Sequence, residues 1–578
     1  MNYLIGRLPL LLEIVINGFF VLIYTFNKTK QAPELLSKLP LELIFQYAIW
    51  VVPVVLFISL AANFLKSDGF EDFIRRYIFS LIIFVPVVIT YGDIEFVYWL
   101  SAVHLFSTII SFYEKAEVKA KYFDKSSGTS SFLFRLKLQP AQVVLLSFAG
   151  WIILGALVLM LPVSSTHGKS MSFIDAIFMS TSATCVTGLA TISLVDDLSV
   201  FGQMVLLVLL QVGGLGIMTL SSSMAVLMGK SLQMREQVMM HDVLDTSSSV
   251  ELLDLVVKVI RYTFAIEFVG AILLTVGFYQ EGFEIGQSLY YGFYHAISAF
   301  CNAGFALWNN NLEDFKFTPL IHFTISGLII VGGIGFAVIK DLGDMVKNKQ
   351  RSLRSLSLHT KIVLVTNTLL LMTGTFYLFF GEFLHAFQDY SMWEKFQVAF
   401  FHSATARTAG FNTVSILALQ PHCIYLMILL MFIGASPGST GGGVKTSTFA
   451  ILLYSVKATL QGRQEVEMFE RRIPAQTVVK SIAIFIICLV VVSTGVLVLV
   501  RVEPDKSFLS LLFEVVSGFG TVGLSLGITP FLSSMGKFCI IAMMYLGRVG
   551  PLTLILAVGS RVVLPSNVEY PEGKVLIG

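Results

Sequence analysis

The chain has 578 residues, of which 55% are hydrophobic and 13% charged, with a formal net charge of +2. A soluble domain carries about 25% charged residues, so a water-exposed surface around this much apolar material is excluded, and so small a charge argues against nucleic acid as a partner. Five cysteines (Cys185, Cys301, Cys423, Cys488, Cys539), with no CxxC spacing and no His cluster beside them, exclude a disulfide framework and a zinc site.

In chain order, several stretches of about 20 apolar residues are each long enough to cross about 30 Å of hydrocarbon. They are continuous rather than alternating, which predicts helices and not a barrel. Residues 1–113 hold spans near 8–27, 41–63, 77–90 and 94–113. The first follows Arg7 and lacks a small-x-small cleavage site, so it reads as a retained helix. Four spans would keep the N-terminus inside yet place Lys28, Lys30 and Lys38 outside, against the positive-inside rule. The topology of this region stays open. The basic stretch 114–140, with SSGTSS at 126–131, predicts a cytoplasmic linker.

Four units follow, over 141–228, 257–340, 360–455 and 477–562, with a tail at 563–578. Each unit opens on an outer helix, near 141–161, 257–279, 360–384 and 477–501, and closes on an inner one, near 199–228, 317–340, 423–455 and 533–560. Between them lie shorter stretches near 173–184, 288–300, 395–406 and 508–520, too short to span and read as re-entrant pore helices. Each leads into a small-residue loop: SATCVTGL (182–189), SAFCNAGF (298–305), TARTAGF (405–411) and SGFGTVGL (517–524). Their glycines are Gly188, Gly304, Gly410 and Gly523. Three loops place a serine six residues before the glycine (Ser182, Ser298, Ser517), whereas Ser403 lies seven before Gly410.

Lys and Arg set the orientation. The linkers between units carry Lys230, Arg235, Lys258 and Arg261; Lys340, Lys347, Lys349, Arg351, Arg354 and Lys361; and Lys457, Arg463, Arg471, Arg472 and Lys480. Cations are sparse beside the glycine loops. The linkers are therefore predicted to be cytoplasmic and the loops to enter from outside, giving parallel repeats about an axis normal to the membrane. The fold class predicted is an all-α polytopic membrane protein. It has four helix–pore-loop–helix repeats around a pseudo-fourfold axis, plus extra N-terminal transmembrane helices.

An ion leaving water must recover its hydration energy from fixed ligands, and backbone carbonyls suit a monovalent cation. Aiming consecutive carbonyls at one axis needs dihedrals that glycine permits. A pore helix would direct its partly negative C-terminal end the same way. The candidate filter residues are Val186, Thr187, Gly188; Asn302, Ala303, Gly304; Thr408, Ala409, Gly410; and Thr521, Val522, Gly523. No ring of Asp or Glu accompanies them, which argues against a divalent-cation site. The competing reading, small residues that only permit close helix packing, accounts poorly for four loops in equivalent places.

TCVTGL, FCNAGF, ARTAGFNT and FGTVGLSLG, with GASPGSTGGGVKT at 434–446, resemble the Trk/Ktr/HKT superfamily of potassium transporters over about 141–562, closest to the bacterial Trk and Ktr membrane subunits. The resemblance implies a K+ pore of pseudo-fourfold design in each subunit and a homodimer in the bacterial cytoplasmic membrane. It also implies a cytoplasmic RCK-type regulatory subunit that binds nucleotide. In plant relatives a serine at the first filter glycine goes with Na+ transport, so Gly188 favours K+. Na+ enters only as a candidate coupling ion.

Five glycines and a proline cannot sustain a helix across 434–446, and broken backbone at membrane depth is tolerated where it faces protein or a water-filled cavity. One reading is a flexible gate under the filter (Gly438, Gly441, Gly442, Gly443, Lys445), moved by a cytoplasmic partner, which the resemblance also implies. The other is a loop between two spanning helices. Lys445 reads as an anchor to a carboxylate or as an interfacial lysine.

Arg548, placed midway along the last inner helix, is costly there unless it meets an aqueous path or a partner. The resemblance implies a pore-facing gating role, and an ion pair to Glu267 or Glu514 is the alternative. Arg407 reads as a brace for its loop, Glu514 as a carboxylate opening the fourth pore helix, and His295 and His402 as packing or hydrogen-bonding groups.

The function expected is gated K+ uptake without enzymatic activity. The alternatives are the ion-translocating subunit of an ATP-driven K+ pump and a membrane enzyme or sensor. The lack of Asp/Glu/His clusters on the apolar segments counts against the last, and GSTGGGVKT, with no preceding strand, is not a nucleotide-binding loop.

Overall fold

The computed structural model divides the chain into two units, Met1–Lys137 with His167–Lys169, and Leu138–Thr166 with Ser170–Gly578. The structure describes residues 140–227, 249–347 and 356–550, together with Ser101. The spans read within 1–113, the linker up to 139, the residues beyond 550 and the tail 563–578 lie outside the described residues.

The described part is mostly helical. The outer helices are α1 (Pro140–Leu159), α4 (Ser249–Gln280), α8 (Leu358–Gly381) and α12 (Ala475–Val502). The short helices are α2 (Phe173–Thr184), α5 (Ile285–Phe300), α9 (Met392–Thr405) and α13 (Phe508–Gly520). Serine caps fix several starts: Ser172, Ser391 and Ser507 each accept from the backbone three residues on, and Ser391 forms a reciprocal capping box with Glu394. The last five residues of each short helix are buried, and Phe178, Phe300, Phe401 and Phe519 are buried large side chains on these helices. The outer helices instead expose large apolar side chains, Phe268 at 66%, Phe380 at 70% and Leu497 at 72%. Such surface suits hydrocarbon and not water. Among the described residues three helices are long and apolar enough to cross a membrane, or four counting one bent pair.

The inner helices depart from the continuous spans expected for three of the four units. α3 (Val200–Leu227) is interrupted at Gly216, φ 80° and ψ 175°. The second inner segment is two helices, α6 (Pro319–Ile334) and α7 (Phe336–Lys347), bent by 100° at Gly335. The third is α10 (Pro421–Phe432), an irregular stretch, then α11 (Thr446–Leu460). The fourth, α14 (Ser534–Val549), stops at Gly550 with φ 87°. A second glycine series marks three of these breaks: VGGLG at 212–216, VGGIG at 331–335 and LGRVG at 546–550. Sequence reading passed over it because the surrounding residues are as apolar as any spanning helix.

The helices are not the whole fold. Val466–Met468 (β1) pairs antiparallel with Arg471–Ile473 (β2), correcting the all-α expectation. Phe469 and Glu470 form the turn at φ 50° and 62°, while Met468 and Ile473 are buried against Ile451, and that burial holds the hairpin.

Acidic residues that sequence reading missed tie outer to inner helices at three corners. Thr318 Oγ1 donates to Glu281 Oε1 (2.6 Å), Gln420 N to Glu382 Oε1 (2.7 Å) and Ser533 N to Glu503 Oε1 (2.7 Å). Each carboxylate sits at an inner-helix N-terminus, where backbone donors and the helix dipole favour negative charge.

Candidate functional site: four glycine loops and the segment packed on them

Each short helix ends in a loop with one repeated backbone pattern. Two residues before the glycine the backbone is left-handed: Val186 (φ 56°), Asn302 (58°), Thr408 (79°) and Thr521 (50°). The glycine itself has positive φ, at 94°, 67°, 81° and 91° for Gly188, Gly304, Gly410 and Gly523. Four non-glycine residues in this region indicate strain sustained by surrounding contacts. Val186, Asn302, Thr408 and Thr521 are all fully buried.

The glycines meet in a closed cycle. A Cβ added at Gly188 would lie 3.3 Å from Gly304 Cα; at Gly304, 2.8 Å from Gly410 Cα; at Gly410, 3.2 Å from Gly523 Cα; and at Gly523, 3.0 Å from Gly188 Cα. The atom each Cβ would strike first is the carbonyl oxygen of the residue before the next glycine: Ala303, Ala409, Val522 and Thr187 in turn. Positive φ and this approach both exclude a side chain at the four positions. All twelve candidate filter residues belong to these loops. Among the described residues no group of three or more His, Cys, Asp or Glu converges here or elsewhere.

The serine register has a physical meaning. Gly188 N donates to Ser182 Oγ and Gly523 N to Ser517 Oγ, both at 3.1 Å. Ser298 donates instead to Phe305 O (2.9 Å), and Ser403 to Leu371 O (2.7 Å) on the outer helix. The third loop is also wound differently. Ala409 N reaches back four residues to Thr405 O, where Thr187, Ala303 and Val522 each reach back five. Two hydroxyls therefore brace a glycine directly, and two do not.

Beside the loops, Glu514 corrects its expected position. It is the seventh residue of α13 and not its opening, and it accepts from Ser525 Oγ (2.8 Å) and from Thr529 Oγ1, bracing the chain that leaves the fourth loop. His295 Nε2 accepts from Leu307 N (3.2 Å), and its ring stacks on Trp308 at 4.6 Å. His402 meets Thr413 Oγ1 at 3.4 Å. Arg407 braces as expected: its guanidinium donates to Asn367 O (3.4 Å) and Gly434 O (3.2 Å).

The segment 433–445 lies against this ring and is hydrogen-bonded to itself and to its neighbours. It closes on itself through Ala435 N to Gly442 O (3.2 Å) and Val444 N to Phe432 O (3.1 Å). Ser436 N and Thr440 N donate to Gly333 O (3.0 Å) and Gly332 O (3.3 Å) of α6, and Phe336 N returns a bond to Gly438 O (2.9 Å). Gly442 N donates to Thr521 Oγ1 of the fourth loop at 2.9 Å. Gly441 packs on Thr408. Glycine here serves close approach to the loops as well as backbone freedom.

Among the described residues Lys445 anchors to no carboxylate. Its ammonium donates to Gly441 O (2.7 Å) within the same segment. Arg548 stands at the penultimate position of α14 rather than midway, and pairs with neither Glu267 nor Glu514. Its guanidinium donates from separate nitrogens to Thr440 O of the segment and Gly213 O of α3. A helix end places the charge beside carbonyls freed by two backbone breaks, which an ion pair would not supply. Arg548 occupies the place that Gly214 and Gly333 hold in the other members of the second glycine series.

Residues 150–569 match the family TrkH, cation transport protein. The chain is 37% identical over 446 residues to the Ktr system potassium uptake protein B of Bacillus subtilis, covering 77% of this chain and 98% of that protein. It is 38% identical over 440 residues to the protein of the same name from Vibrio alginolyticus, covering 76% and 94%. The potassium/sodium uptake protein NtpJ of Enterococcus hirae is 33% identical, covering 77% and 98%. In fold, the chain is similar to the potassium transporter TrkH from Vibrio parahaemolyticus, with a TM-score of 0.59, 18% identity, and coverage of 85% of this chain and 97% of that one.

Proposed function

The chain belongs to the TrkH family of cation transport proteins, and we propose that it is the membrane subunit of a potassium-uptake system, passing K+ through a filter of backbone carbonyls. One observation carries this reading: the four glycine loops touch in a closed cycle, each glycine lying against the carbonyl that precedes the next loop's glycine. Carbonyl dipoles at such spacing replace the hydration shell of a monovalent cation without the binding strength a carboxylate would add. The filter is assigned to Val186, Thr187, Gly188, Asn302, Ala303, Gly304, Thr408, Ala409, Gly410, Thr521, Val522 and Gly523. Four repeats, over 141–228, 257–340, 360–455 and 477–562, supply one loop each about a pseudo-fourfold axis.

The segment 434–446 acts as the gate, with Gly438, Gly441, Gly442, Gly443, Lys445 and Arg548 holding it closed. Its bonds to α6, to the fourth loop and to Arg548 support this role, because a loop so held needs an applied force to move. The basic linkers face the cytoplasm of a bacterium, the subunit spans the inner membrane many times as a homodimer, and an RCK-type nucleotide-binding subunit supplies that force. Relatives named as components of a Ktr system support a multi-component assembly. Membrane potential drives uptake, and Na+ is the proposed coupling ion, in keeping with one relative named for potassium and sodium. The relatives lend no support to the alternative of an ATP-driven pump subunit.

The test is uptake of K+, Rb+ and Na+ by cells lacking their own K+ systems. The wild-type chain should restore K+ and Rb+ uptake, and Gly188→Ser should abolish it or shift it toward Na+. A wild-type chain at normal membrane levels that restores nothing, or a Gly188→Ser variant identical to it, overturns the reading.

A further inference from the structure

The gate segment and the fourth glycine loop share a hydrogen bond between residues far apart in sequence. Thr521 is left-handed at φ 50° and fully buried, and its backbone N–H is satisfied locally by Gly518 O (3.1 Å). Its hydroxyl has a different partner, accepting from Gly442 N at 2.9 Å across 79 residues of sequence. A Cβ at Gly442 would lie 2.9 Å from Thr521 Cγ2, so the two are in van der Waals contact as well. The next residues, Val522 and Gly523, carry the carbonyl and the glycine that close the ring onto the third and first loops. The corresponding residue of the first loop, Val186, has no hydroxyl, and Asn302 and Thr408 share a 3.2 Å bond with each other. Among the four left-handed residues the direct hydrogen bond to the segment is made by Thr521.

We infer that Thr521 is a positioning residue through which the gate sets the geometry of the filter, so that displacing the gate changes which cation the ring prefers. The inference rests on the pore reading above. A buried left-handed threonine is held by its contacts, and withdrawing Gly442 removes both the hydrogen bond and the wall against its methyl group. The loop can then relax toward ordinary dihedrals, carrying the Val522 carbonyl with it.

A thermodynamic cycle tests this in the full-length chain with its regulatory partner, expressed in cells lacking other K+ systems. The readout is the ratio of Rb+ to Na+ uptake, with membrane levels measured for every variant. Thr521→Val, isosteric but without the acceptor, and deletion of 438–443 should each lower the ratio by about two- to tenfold, the range one hydrogen bond commands. Their combination should lower it no further than the larger single effect, since both remove the same contact. Thr521→Ser, which keeps the acceptor hydroxyl, should lower the ratio less than Thr521→Val does. If the two effects multiply, or if the deletion leaves the ratio unchanged, the filter does not sense the gate and the inference is overturned. Should Thr521→Val fail to reach the membrane, the deletion arm still decides by the same criterion. A wild-type chain without K+ uptake would instead count against the pore reading itself.

Discussion

Lys537 and Asp175, 362 residues apart, form an ion pair of 2.7 Å that joins the last inner helix to the first short helix. The side chains are 14% and 22% exposed, and Asp175 also accepts from the Ser172 hydroxyl at 2.6 Å in the first turn of α2. This contact brings α14 against α2.

Breaking that pair from one side leaves a charge with little solvent access. Asp175→Asn or Lys537→Met should lower stability in detergent by about 1–2 kcal/mol, below the fully buried case because some screening remains. The reversed pair, Asp175→Lys with Lys537→Asp, should recover only part, since lysine opposes the dipole in the first turn of a helix. Thermal unfolding of the three variants checks the order; equal midpoints would show that the pair contributes nothing.

Gly304→Ala should abolish K+ uptake in a chain that still reaches the membrane. The added methyl would meet Gly410 Cα at 2.8 Å and Ala409 O, and the φ of 67° disfavours any side chain. Gly150→Ala is the matched control: its Cβ meets nothing within 4 Å on helix α1. It should keep full uptake and gain up to about 1 kcal/mol from helix propensity. Equal uptake by the two variants would detach the ring from conduction.

Arg548 bridges Thr440 O and Gly213 O with separate nitrogens, a geometry lysine cannot copy with a single ammonium. Arg548→Lys should raise K+ uptake in the absence of the proposed regulatory subunit by about two- to tenfold, as expected for one lost hydrogen bond. Arg548→Ala should raise it further. An alanine variant with unchanged uptake rate and K+ affinity would remove Arg548 from the gate.

The corner acids should matter for folding and not for transport. Glu503→Ala removes the acceptor of Ser533 N at the start of α14, and Glu382→Ala that of Gln420 N at the start of α10. Each should cost about 1–2 kcal/mol, the worth of a helix cap with favourable charge, measured as a fall in thermal midpoint. Uptake per correctly inserted molecule should be unchanged. A change in ion preference would instead place these carboxylates on the ion's path.

The amino-acid sequence by itself determined what local chemistry can encode. Apolar runs of spanning length, four short stretches too brief to cross, and glycines at matching places are read within a few residues of chain, and 173–184 is the helix Phe173–Thr184. The tertiary structure alone decided which backbone groups the glycine breaks expose to one another. Bonds such as Gly442 to Thr521 and Arg548 to Gly213 link segments 79 and 335 residues apart, and no periodicity records them. Arg548 shows why. Its sequence neighbours specify a helix near its end, whereas its partners are carbonyls released by breaks in two other segments, and those carbonyls converge only once the chain has closed on itself.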